Sequence, residues 1–214
     1  MNKKVLIFDF AGTFYSGENA FDKLPAFINS HKREFLPNLT DANYALLVKE
    51  NPFWKDVYSG ADIADAIYKF KDKYPSWNIS IKNYLKWENQ NLEPIDIDKN
   101  KIVDTTFITK LCNKYNVYLV SNSSPFHLKF YLKYIGLEPK IFKKIISNRF
   151  TKRDKTKKHY YKNIIVQENC LPQNAYVFGD SLKNDLIPAQ KLGMQTFLVK
   201  DATRLKDIVK QALK

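Results

Sequence analysis

Short apolar runs that stop abruptly on a polar side chain recur along this chain, and they set most of what it can fold into. Val5-Leu6-Ile7-Phe8 runs into Asp9, Val117 to Val120 into Ser121, and Ala175 to Phe178 into Gly179-Asp180. A continuous apolar run of this length lacks the alternation of a half-buried strand. It suits a strand covered on both faces, as in a parallel sheet. Ile145-Ile146 and Thr196 to Val199 read as two further strands. Helical segments stand between them: about Asp98 to Lys114, Pro125 to Ile135 stopped by Gly136, Thr156 to Glu168, Leu186 to Leu192 stopped by Gly193, and Arg204 to Leu213. Strands alternating with helices predict an α/β core with a parallel sheet.

One stretch breaks the alternation. Between the first and second strands, Phe21, Leu24, Phe27 and Ile28 share a helical face, with Pro25 suited to a first turn. Thr40-Asp41 caps a second amphipathic segment through Tyr44, Leu47 and Val48. Ile63, Ala66, Ile67 and Phe70 are in phase in a third, and Ile81, Tyr84 and Leu85 mark a fourth. The expected organisation is a core made of residues 1–18 and 96–214, interrupted by an all-helical insert over 19–95. Phe53, Trp54, Tyr58, Trp77 and Trp87 read as the insert's own small core, and Pro94 with Asp96 to Asp98 as the return linker.

Bulk properties narrow the function classes. With 214 residues, 44% of them hydrophobic, the chain can bury a sizeable core and is not of disordered composition. No apolar run reaches the length of a membrane span, and Asp9 ends the first apolar run too early for a secretory leader. Cys112 and Cys170 stand in neither metal nor redox spacing, which suits reduced thiols in a cytoplasmic protein. The formal charge is +13, yet only four of the 35 basic residues are arginine, the residue suited to bidentate reading of bases and phosphates. Nucleic acid is therefore not the expected partner, and neither is a membrane. A positive field would instead draw a small anionic substrate toward a cleft. Nothing in the sequence fixes an oligomeric state.

The chemistry belongs at the strand ends. In open α/β sheets ligands bind beyond the carboxyl ends of the strands. Asp9, Ser121 and Asp180 can meet there although they are far apart in sequence. Two carboxylates brought together repel unless a cation joins them. A hard divalent ion such as Mg²⁺ takes one or two carboxylates together with waters and phosphate oxygens. His31, His127 and His159 show no metal-ligand spacing and are not expected at the site.

Asp9-Phe10-Ala11-Gly12-Thr13, following an apolar strand, resembles the first motif of the haloacid dehalogenase superfamily, Asp-x-Asp-Gly-Thr. Val117 to Ser121 resembles its second motif, Lys155 ahead of a helix its third, favoured by helical phase with Tyr161, Ile164 and Ile165 over the competing Lys152, Lys157 and Lys158, and Gly179-Asp180-Ser181-Leu182-Lys183-Asn184-Asp185 its fourth, with Gly193-Met194 following. The insert between the first two motifs is similar to that family's α-helical cap. The resemblance implies a Rossmann-like three-layer core carrying an all-helical cap domain, and a Mg²⁺-dependent hydrolase acting on a small phosphorylated metabolite. It implies Asp9 as a nucleophile that becomes an aspartyl-phosphate, and Mg²⁺ held by Asp9, the backbone carbonyl of Ala11, and Asp180, with Asp185 orienting the metal shell. Ser121, Asn122 and Gly12 would bind the phosphoryl oxygens, and Lys155 would neutralise charge on Asp9 and the phosphoryl group.

Position 11 departs from the pattern. The family's phosphatases carry there a second aspartate, which protonates the leaving oxygen and later activates water, a contribution of roughly 10²–10⁴ in rate. Ala11 cannot supply it. Three readings follow: a phosphatase, natural or engineered, slowed by alanine; a substrate whose leaving group needs no acid; or carbon–phosphorus cleavage. The last is suggested because phosphonoacetaldehyde hydrolases carry Asp-x-Ala-Gly-Thr and use a cap lysine, for which Lys23, Lys32 and Lys49 are only generic candidates. A catalytically weak protein that binds phosphate ligands is the non-enzymatic alternative.

Overall fold

The computed structural model describes residues 4–16, 98–121, 125–147 and 157–214. Contacts divide the chain into two compact units, Met1–Glu18 with Asp96–Asn148 and Asp154–Lys214, and Asn19–Ile95 with Arg149–Arg153. All described residues belong to the first unit. The helical insert expected over 19–95 lies outside them.

Five parallel strands form one sheet in the order β3-β2-β1-β4-β5. They are β1 (Val5–Phe8), β2 (Asn116–Ser121), β3 (Lys144–Ser147), β4 (Ala175–Gly179) and β5 (Gln195–Leu198). The central strand β1 is fully buried, pairing Phe8 with Leu119 on one side and with Phe178 on the other. Among the described residues the α-helices are α1 (Thr105–Lys114), α2 (Pro125–Tyr134), α3 (Lys158–Glu168), α4 (Ile187–Gln190) and α5 (Leu205–Ala212).

Alternation along the strands supplies two apolar faces. On one, Val5, Ile7, Tyr118, Val120, Ala175 and Val177 are covered by Tyr160, Tyr161 and Ile164 of α3 and by Leu186 and Ala189. On the other, Phe8 stacks on Phe178 with centroids 4.9 Å apart, Phe178 on Phe197 at 5.1 Å, and Phe14 meets Phe8 edge-on at 5.7 Å. Right-handed crossovers place α1 and α2 on this second face, where Ile108, Leu111, Leu128 and Leu132 are buried. The result is the three-layer, Rossmann-like α/β core. The chain steps outward from β1 to β2 and β3, then returns to β4 on the far side of β1. That reversal makes the carboxyl ends of β1 and β4 the place where a crevice opens.

Two helices differ from expectation. The segment expected as one helix from Asp98 to Lys114 is a 3₁₀ turn (Lys99–Lys101) and then α1, each with its own aspartate cap. Asp98 accepts from the Asn100 N–H and Asp104 from the Phe107 N–H, both at 2.9 Å. The intervening residues are extended because they pair with the chain leaving β1. The Val103 N–H donates to Phe14 O at 2.9 Å, and the Ser16 N–H to Lys101 O at 2.7 Å. The helix expected from Leu186 to Leu192 begins earlier, with a π-helical turn over Leu182–Leu186, and its α-helical part ends at Gln190.

Candidate active site

Asp9 lies one residue past β1, and its N–H donates to Phe178 O at 2.9 Å, extending the β1–β4 ladder by a step. That bond fixes the backbone beneath a carboxylate that is itself buried. The chain then turns tightly: the Phe10 carbonyl accepts from the N–H groups of Thr13 and Phe14 at 3.2 and 2.8 Å, and the buried Phe10 and Phe14 rings anchor the turn. Gly12 has φ +77°, and a Cβ there would stand 2.3 Å from Asp180 Oδ2. Only glycine allows both the backbone angle and this approach of Asp180 to the turn. Ala11 sits between Asp9 and Gly12, half-buried, presenting a methyl group.

β4 delivers the other acids. Asp180 follows its last residue and remains exposed. Asp185 folds back beneath it through the π turn, in which the Leu186 N–H reaches Ser181 O at 3.2 Å. Such single π turns widen a helix and frequently occur at functional sites. The turn carries Asp185 inward until it is almost fully buried, with Oδ2 accepting from the Ser181 N–H at 3.0 Å. A Cβ at Gly179 would meet the Asp185 side chain at 2.6 Å, so glycine there makes room for that carboxylate.

Lys157 closes the group. Its side chain is buried, and Nζ lies 2.5 Å from Asp9 Oδ1 and 2.6 Å from Asp185 Oδ1. Burial works against its charge, but the two carboxylates outweigh burial and hold the ammonium above its ordinary value. For Asp9 the balance runs the other way. Burial pushes the carboxyl up to about 7; Lys157 opposes this, while Asp185 and Asp180 add to it. Burial, with the Asp185 charge, likewise raises Asp180.

One oxygen from each of Asp9, Asp180 and Asp185 lies within 4.8 Å of the others, and a single ammonium cannot compensate three carboxylates. Hard oxygen donors with surplus negative charge suit a hard divalent cation. The residues present therefore fit such an ion.

The sequence pattern of haloacid dehalogenase-like hydrolases matches residues 3–193, nearly the whole chain. The chain belongs to the haloacid dehalogenase-like hydrolase family. No curated protein matches its sequence. Among solved structures it is similar to a predicted HAD-like family hydrolase from Porphyromonas gingivalis, at 16% identity over 100% of this chain and 99% of that one, with a TM-score of 0.61. It is also similar to a HAD phosphatase from Thermococcus onnurineus, at 19% identity over 91% and 85% of the two chains, TM-score 0.54. A third is a HAD family enzyme from Bacteroides thetaiotaomicron, solved as an aspartate-to-alanine mutant in complex with magnesium and inorganic phosphate (21% identity, 92% and 93% covered, TM-score 0.53). At these identities the structural likeness carries the fold.

Within this HAD-like core, Asp9, Gly12, Asp180 and Asp185 come together with Ala11 at the carboxyl ends of β1 and β4. Ser121 ends β2, buried, at the same edge of the sheet. Asn122 and Lys155 lie outside the described residues. The lysine on Asp9 is Lys157, two positions beyond the expected Lys155. The helical phase expected to favour Lys155 favours Lys157: this residue precedes α3, has Tyr161 and Ile164 at i+4 and i+7, and continues the buried stripe of that helix.

Proposed function

We propose that the chain is a magnesium-dependent hydrolase of the phosphatase type, acting on a small phosphorylated metabolite through an aspartyl-phosphate on Asp9. The observation that carries this reading is the buried Asp9 carboxylate, held by Lys157 on one oxygen and with an oxygen within 4.8 Å of one from each of Asp180 and Asp185. The magnesium and phosphate bound to the Bacteroides enzyme support it by analogy of fold and ligand.

In this reading Asp9, Asp180 and the backbone carbonyl of Ala11 would hold Mg²⁺, and Asp185 would orient its shell. When bound, the ion neutralises phosphate charge and draws the phosphoryl group toward Asp9. Lys157, rather than Lys155, fixes one Asp9 oxygen and leaves the carboxylate aimed for attack at phosphorus. Covalent capture divides one hard displacement into two easier ones. Ser121, Asn122 and the N–H of Gly12 donate to the phosphoryl oxygens, the positioning on which phosphoryl transfer chiefly depends. Residues 19–95, as the helical cap, would select the substrate. Among the described residues no helix is long and apolar enough to cross a membrane. Neither Cys112 nor Cys170 is joined in a disulfide, and a cytoplasmic location is the accompanying reading.

Ala11 leaves this chemistry without its proton carrier. A screen of phosphorylated metabolites with Mg²⁺ should therefore show weak phosphomonoester hydrolysis, rising at least tenfold in the Ala11→Asp variant. A flat response to that substitution would remove the assignment of position 11, and with it the phosphatase reading.

A further inference from the structure

Hydrolysis through Asp9 handles a proton twice, once as the leaving oxygen departs and again as water attacks the aspartyl-phosphate. Around Asp9 the described titratable groups are all committed elsewhere. Lys157 spans Asp9 and Asp185. Asp185 is buried with one oxygen on Lys157 and the other on the Ser181 N–H. Asp180 lies against the Gly12 backbone within the metal-ligating set. The phenol rings of Tyr15 and Tyr161 are buried in apolar packing, Tyr15 against the Phe10 and Tyr131 rings and Tyr161 among Ile7, Val177 and Ile164. Position 11 offers a methyl group.

The two steps suffer differently. A leaving group that departs as a stable anion needs no acid, so the first step can still be fast for the right substrate. No choice of leaving group helps the second step, because the group has already gone. We infer that this chain takes phosphoryl groups from acyl phosphates and holds them on Asp9 as a long-lived aspartyl-phosphate. This rests on the nucleophile and metal set of the proposed function and names the substrate class for it. In the transfer, an Asp9 carboxylate oxygen bonds to phosphorus while the bond from phosphorus to the acyl oxygen breaks. The electron pair leaves on a carboxylate that needs no proton at neutral pH, since such groups ionise near pH 4. One acyl phosphate replaces another, so little driving force is lost. Water then finds no base among the described residues, and the adduct forgoes the roughly 10²–10⁴-fold help such a group gives.

The test incubates the full chain with Mg²⁺ and acetyl phosphate, quenches in acid and measures intact mass over time. Expected is one added phosphoryl group, absent from Asp9→Asn, discharged by hydroxylamine, and decaying at least about a hundredfold more slowly than in Ala11→Asp. Glycerol phosphate, with its alkoxide leaving group, should give no adduct on the same timescale. An unmodified wild-type mass, with Ala11→Asp hydrolysing phosphomonoesters, overturns the inference and spares the proposed function. So does an adduct that decays as fast in the wild type as in Ala11→Asp, since some group then replaces the missing base. Inertness of both proteins toward every phosphate overturns the inference and the proposed function together.

Discussion

Lys157 has two carboxylate partners within 2.6 Å and almost no exposure. Replacing it with methionine keeps the bulk and removes the charge, leaving Asp9 and Asp185 buried without compensation. Losing one member of a buried ion pair costs about 3–5 kcal/mol. Urea unfolding of metal-free Lys157→Met should show a loss of that order, and in the Ala11→Asp background hydrolysis should fall to the limit of detection. Lys155→Met should leave that activity near its starting value; the opposite ranking would return the role to Lys155. Gly12→Ala forces a side chain into the left-handed region, at about 1–2 kcal/mol, and drives its Cβ onto Asp180. It should weaken Mg²⁺ binding, read by calorimetry, far more than it lowers the melting temperature. The acids of this site were legible because each sits where an apolar run stops or in a glycine-led segment after one, and Gly179-Asp180 with Asp185 forms such a segment. The lysine was harder to place in a chain rich in lysine, where only the phase of the following helix separates one candidate from another.

At the scale of elements, β1, β2 and β4 read correctly from sequence because burial on both faces leaves an unbroken apolar signature, whereas the edge strands β3 and β5, only partly buried, left a shorter one. Boundaries set by long-range pairing did not read correctly. Ile102 and Val103 have the spacing of a helix, yet the backbone of Phe14 and Tyr15 captures them as an extended segment, and that pairing is invisible to local periodicity. The helix start then passes to Asp104, whose carboxylate accepts from the Phe107 N–H and pairs with Lys206 at 2.8 Å. Those bonds hold the Asp104 carboxyl below its usual range, chiefly the one from Lys206. A carboxyl lowered in the folded state adds stability above its ordinary pKa and loses it as pH falls through the folded value. Asp104→Ala should thus cost about 1 kcal/mol at pH 7, the worth of a helix cap, and less in strong acid; urea melts at the two pH values measure the difference. The π turn was similarly hidden. The helix was expected only from Leu186, and the turn over Leu182–Leu186 that precedes it becomes intelligible from the space beside Gly179 that admits Asp185.

Over the whole molecule, the sequence placed the chemistry at the carboxyl ends of the strands, but the strand order that opens a crevice between β1 and β4 was not legible, because crossover handedness fixes the face on which a helix packs and not which strands are neighbours. Nor was the charge balance inside that crevice, because burial decides it. In the metal-free protein Asp9 titrates near 7, far above an exposed aspartate. An acid raised on folding binds protons more readily in the folded chain, so its contribution to stability declines as pH rises through that value. A divalent cation reverses the balance, since it needs the ionised carboxylate and protons compete for the same oxygens. Saturating Mg²⁺ should therefore raise the melting temperature clearly at pH 8 and little at pH 5.5, and an equal shift at both would place the ion away from Asp9.

The central physical claim is that acids from the ends of β1 and β4 share one cation. Calorimetric titration of Mg²⁺ into the wild-type protein at pH 8, alongside Asp180→Asn, tests it most directly. Convergence predicts a single site in the wild type that Asp180→Asn abolishes while leaving the fold intact by circular dichroism. Equal binding by the two proteins, or none by the wild type, would contradict it.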